Sequence, residues 1–70
     1  MKQYSVTINN TILNEERTVK VKAVDPMTAH KDTLWDMSEY DQIVEIRNSN
    51  NILVYGSEGF VNALRDQETH

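Results

Sequence analysis

The sequence predicts an α+β domain: an antiparallel four-stranded sheet in ββαββ order, one helix packed on one of its faces, and a short C-terminal helix. Three observations carry this expectation. Apolar and polar residues alternate across residues 4–8 and 18–23, the two-residue period of a strand with one buried face. Asp25-Pro26 then opens a stretch whose apolar residues recur at helical spacing. Beyond it, two runs rich in β-branched residues, 43–47 and 52–55, flank the turn-forming tetrad Asn48-Ser49-Asn50-Asn51.

Each element follows from its residues. In the first strand Tyr4, Val6 and Ile8 alternate with Ser5, Thr7 and Asn9. A polar connection follows, interrupted by Ile12 and Leu13, which either fold back under the hairpin or extend the strand through a bulge. In the second strand Val19, Val21 and Ala23 alternate with Thr18, Lys20 and Lys22, and the short separation makes the pair an antiparallel hairpin. Asp25 caps the helix by accepting from free amides of its first turn, while Pro26 supplies a preset φ where no amide is needed. At about 100° per residue, Met27, His30, Leu34 and Met37 form one stripe with Ala29 and Thr33 beside it; Trp35 falls away from that stripe, on the flank or solvent side.

A second hairpin turning at Ser49-Asn50 would set Ile46 against Leu53 and Val44 against Tyr55, completing the core. It would leave Ile43, Ile52 and Val54 on the other face, and a one-residue shift of the turn would exchange the two sets. Gly56 then breaks the strand. Ser57 suits a helix cap, Glu58 suits the positive end of a helix dipole, and Phe60, Ala63, Leu64 and Gln67 repeat at helical spacing. The tail, residues 66–70, is expected to fray.

Composition narrows the function classes. Seventy residues hold one domain, 1–70, and a chain of this size buries only about 60% of the surface its unfolded form exposes. With no cysteine, neither disulfides nor thiolate metal sites are available, so association is the remaining source of burial. A net charge of −4 disfavours direct nucleic-acid binding, which draws its affinity from cations that displace counterions. No apolar run approaches the ~20 residues that span a bilayer, and the opening residues lack the apolar stretch of a signal peptide. A soluble, cytoplasmic protein without membrane contact is expected.

The chemistry of catalysis is missing from the pattern. His30 lies on the apolar stripe as a core or boundary residue, His70 is terminal, and no third ligand stands at metal-binding spacing. The carboxylates lack calcium-loop order and the two glycines form no phosphate cradle. No catalytic residue, metal or cofactor is therefore expected, and the chain is read as non-enzymatic.

Charge is the more informative signal. Between Lys31 and Arg47 stand five acids, Asp32, Asp36, Glu39, Asp41 and Glu45, and no base, with Trp35 and Tyr40 among them. Asp32 and Asp36 share a helix face as a mildly repulsive pair, and Asp36 and Glu39 sit at the negative end of the helix dipole. A sequence chosen for stability alone would place lysine or arginine there, and such departures often mark function. The expected partner-binding set is Asp32, Trp35, Asp36, Glu39, Tyr40 and Asp41. The competing reading is a solvated helix end that keeps the domain soluble. Two further alternatives are a nucleic-acid site on the outward face of the second strand, Arg17, Lys20 and Lys22, and a homodimer burying Ile43, Ile52 and Val54.

The hairpin, the Asp-Pro-started helix and the second hairpin resemble the compact ββαββ accessory proteins of bacteriophages. Seven asparagines and the absence of cysteine match that impression. Within that class the arrangement is similar to one group of small anti-CRISPR proteins, over residues 1 to about 56. The similarity lies in element order and in the apolar pattern of Tyr4-Ser5-Val6, Glu16-Arg17-Thr18-Val19 and Ile43-Val44-Glu45-Ile46-Arg47. It carries over no functional residue. The resemblance implies a stoichiometric inhibitor, working in the host cytoplasm, of a host protein or ribonucleoprotein complex with a basic surface.

Overall fold

The computed structural model describes residues 1–57, 59 and 60. Its elements run β1 (Lys2–Asn10), β2 (Glu15–Ala23), α1 (Pro26–Leu34), β3 (Asp41–Arg47) and β4 (Leu53–Tyr55). They build the expected α+β chain with one four-stranded antiparallel sheet, in the order β2-β1-β3-β4. Because β2 and β3 both run antiparallel to β1, they run parallel to each other with β1 between them. The helix lies in the connection that carries the chain across β1.

β1 and β2 form the expected hairpin, longer than the alternation alone indicated, with Tyr4 opposite Val21 and Val6 opposite Val19. Its loop neither tucks Ile12 and Leu13 beneath the sheet nor extends the strand through them. Both side chains are exposed, because the Asn10 side chain holds the loop open by accepting from the Ile12 and Leu13 amides at 3.0 and 2.9 Å. Asn14 closes the turn at φ 53°, a left-handed conformation that asparagine tolerates.

The core is built from Tyr4, Val6 and Ile8 of β1, Ala23, Ala29, Ile43, Ile46 and Val54. Two of these correct the expected second hairpin. Ile43 and Val54 are buried, whereas Val44 is exposed and Leu53 and Tyr55 are half-buried. The reason is a pair of bulges. Thr7 faces Glu45 but Ile8 faces Ile43, so Val44 is an extra residue in β3; Arg47 faces Leu53 but Ile46 faces Tyr55, so Val54 is an extra residue in β4. One inserted residue resets the in–out parity of a strand. Ile43 and Ile46, three apart, therefore both reach the interior.

The turn also differs from the two-residue form. Asn48 accepts from the Asn51 amide at 2.9 Å, Asn51 adopts φ 63°, and the Asn48 amide donates to Ile52 at 3.0 Å. This is a three-residue loop ending in a left-handed residue. The Asn48 side chain secures it by accepting from the amides of Asn50 and Ile52.

Asp25 caps α1 as expected, accepting from the Thr28 amide at 2.7 Å, and this bond holds its carboxyl below the usual carboxylate range. The buried helix face is rotated from the apolar stripe, however. Ala29 and Thr33 are buried and Met37 packs on the core, while Met27 and Leu34 are 64% and 50% exposed. Small residues let the helix backbone approach the sheet closely. The Thr33 hydroxyl is buried without penalty because it donates to the Ala29 carbonyl at 2.8 Å.

After β4, Gly56 and Gly59 exchange backbone hydrogen bonds of 3.0 and 2.9 Å, and Gly59 takes φ 92°. Ser57 therefore lies in a reverse turn, where a helix cap was expected. The turn brings the Phe60 ring to 4.7 Å from Tyr55 and 5.6 Å from His30, whose own ring is 4.8 Å from Tyr55. His30 is thus a half-buried boundary histidine among aromatics. The expected C-terminal helix and its frayed tail fall outside the described residues.

Candidate functional site: the C-terminal end of α1

A residue about 160° from Thr33 around the helix must point away from the sheet, and Trp35 occupies that position. It is the C-cap residue of α1 and is 80% exposed. Leu34 beside it is half exposed, and Tyr40, which begins the approach to β3, is 48% exposed. Tyr40 is fixed in place from behind: its carbonyl accepts from the Thr11 amide at 2.8 Å and the Thr11 hydroxyl at 2.9 Å. Large aromatic surface is here presented to solvent on an anchored backbone.

The five acids of this segment divide into two groups. Asp41 and Glu45 are engaged within the fold, by Arg17 at 3.0 Å and Arg47 at 2.6 Å respectively. Asp32, Asp36 and Glu39 are exposed and make no ion pair among the described residues.

Asp41 is the clearest departure from the expected site. Its side chain is only 6% exposed and accepts from Arg17, the Ser38 amide and the Asn10 side chain. The Arg17 guanidinium, followed by the Ser38 amide, lowers its pKa to about 2 from an ordinary 3.8. A carboxylate so engaged holds the segment after α1 against β1 and β2. Because its folded pKa is depressed, its stabilising contribution is complete above pH 3.8 and is lost as pH falls towards 2. NMR titration should place Asp41 near 2, and Arg17→Ala should return it towards 3.8. Asp41→Asn should weaken the dependence of unfolding on pH in that window. An Asp41 that titrates near 3.8 in the unaltered protein would show the cluster to be open in solution.

Arg17 also corrects the alternative basic site. It stands opposite Ile8, on the sheet face shared with Val19 and Val21, whereas Lys20 and Lys22 stand opposite Ser5 and Gln3 on the other face. Sequence proximity groups the three cations, but strand parity separates position 17 from 20 and 22. Lys20 donates to the Ser5 hydroxyl at 2.8 Å.

The acidic helix and the basic strand, read from sequence as rival sites, border one open cleft of about 520 Å³ at the sheet edge. Val19, Val21 and Met37 line its apolar part, with Lys20 and Lys22 contributed by β2 and Asp32 and Asp36 by α1. Charge of both signs around one opening prevents either set from acting as a pure cationic or anionic patch. The acidic aromatic surface runs from Asp36 at the rim of the cleft to Trp35, Glu39 and Tyr40, which lie outside it. Among the described residues no cluster of three or more histidines, cysteines or carboxylates is placed to hold a metal ion. No helix among them is long and apolar enough to cross a membrane.

These features define a small α+β domain whose exposed aromatic and acidic residues gather at the C-terminal end of its helix. No protein-family model, curated protein or solved structure matches the chain.

Proposed function

We propose that this chain is a non-enzymatic protein-binding module that grips a positively charged partner surface with the C-terminal end of α1. Trp35 is the observation that carries the reading. Among the described residues this indole is the largest side chain left in water, 80% exposed, and tryptophan and tyrosine are enriched among residues that dominate binding energy. Asp36, one residue past the Trp35 cap, adds negative charge where it opposes the dipole, and Glu39 adds to the negative charge beside it. A lysine- and arginine-rich partner would relieve that opposition, raise the association rate and set the docking orientation.

In keeping with the resemblance to phage accessory proteins, the partner is a host protein or ribonucleoprotein complex whose basic surface normally holds nucleic acid. The domain acts there as a stoichiometric inhibitor of nucleic-acid-processing or CRISPR-type defence machinery in the host cytoplasm. Direct nucleic-acid binding through β2 has less support, since Arg17 is paired with Asp41 and the remaining lysines share their cleft with carboxylates. A mobility-shift titration at low salt is expected to show no shift by the protein alone.

Affinity capture from host lysate, with identification by mass spectrometry, is the direct test. The double reversal Asp36→Lys/Glu39→Lys should abolish capture of the recovered partner. It should also hold or slightly raise the melting temperature, because cations suit a helix C-terminus. Replacement of Asp36 and Glu39 without loss of capture would remove this surface from the mechanism.

A further inference from the structure

We propose that β2 is a dimerisation edge: a second copy of this chain pairs antiparallel with it and extends the sheet to eight strands. The sheet order leaves β2 outermost, so one side of a nine-residue strand has no strand against it among the described residues. An exposed edge of that length is a template for strand addition unless its side chains forbid it. Here they favour one particular occupant. Charge is graded along β2, with Glu15 and Glu16 at its start and Lys20 and Lys22 towards its end. A strand graded in this way is its own complement when the second copy runs in the opposite direction.

The register follows from symmetry. A two-fold axis must pass through a residue opposed to its own copy, and only an axis at Val19 opposes all nine residues, Glu15–Ala23. Glu16 then faces Lys22 of the second copy, and Lys22 faces Glu16, so the same ion pair forms twice. Val19 meets Val19 and Arg17 meets Val21. An axis perpendicular to the sheet keeps the faces matched, so the half-buried Val19 and Val21 gain cover beside the open cleft. Lys20 already leans over its own sheet to Ser5. In the single chain neither partner of the proposed pair has a charge opposite it. Glu16 faces Asn9 and Lys22 faces Gln3, and the two lie about 20 Å apart along the strand.

This interface differs from the one the sequence suggested. Ile43 and Val54 are core residues and cannot form a dimer face. It is also independent of the docking surface at Trp35, so either can fail alone.

Sedimentation equilibrium across a dilution series tests it through charge exchange. The unaltered chain should reach twice 8.1 kDa. Glu16→Lys or Lys22→Glu alone sets like charges opposite each other twice and should weaken association by at least about tenfold. An equimolar mixture of the two single variants restores opposite charges at both pairs, and so does the double variant within one chain. Both should therefore dimerise again, a recovery that a misfolded variant would not show. A chain that stays at 8.1 kDa at the highest soluble concentration overturns the proposal. So does a dimer indifferent to the single reversals, or single variants that mixing fails to rescue.

Discussion

Replacing Ile46 with alanine is expected to destabilise the domain by about 2–5 kcal/mol, the range for truncating a buried aliphatic side chain. Ile46 is fully buried and faces Val6, also fully buried, across the β1–β3 pairing, with Ala29 of α1 in the same cluster. A methyl group left at position 46 would open a void between strands that the bulge at Val44 already constrains. Domains of this length have roughly 4–10 kcal/mol of total stability, so the variant should be partly unfolded without denaturant. Urea titration followed by circular dichroism gives the measurement. Val44→Ala is the matched control. Val44 is 38% exposed, and its truncation should cost under about 1 kcal/mol. Equal losses at the two positions would mean that the β3 register described above is wrong.

Trp35→Ala is expected to do the reverse: to leave stability within about 0.5 kcal/mol and to weaken partner binding by about 2 kcal/mol or more, roughly thirtyfold. The physical basis is the position of the indole. It points away from the sheet, lies outside the buried core cluster, and is 80% exposed. Its removal deletes little folded-state contact, while in a complex it would be the largest apolar surface available at the helix end. Thermal melting and a titration against the captured partner separate the two effects. A variant that melts early would instead make Trp35 a structural residue. One that binds unchanged would leave the acidic face without its anchor.

The elements legible from the chain were those governed by neighbours in sequence. The alternation at Tyr4, Val6 and Ile8 placed a buried strand face, and Asp25-Pro26 placed a helix start that the Thr28 amide contact bears out. The outward position of Trp35 followed from helical spacing alone. The turn tetrad marked the second hairpin, although Asn51 in a left-handed conformation makes its loop one residue longer than the shortest form. Hydrophobicity misled at the helix, where Ala29 and Thr33 hold the interior and Met27 and Leu34 do not. Size and a satisfied hydroxyl mattered more there than apolar character.

Element order, the antiparallel pairing within each hairpin and the solvent-facing indole were thus determined by the sequence itself, because each depends on residues a few positions apart. Tertiary structure alone decided which of Ile43, Val44, Ile46 and Val54 reach the interior, since a bulge arises only when β3 pairs with β1 and β4 with β3. It likewise removed Asp41 from the free acids and Arg17 from the free cations. Those two charges are 24 residues apart in the chain, and no local pattern signals that a sheet will bring them within 3.0 Å.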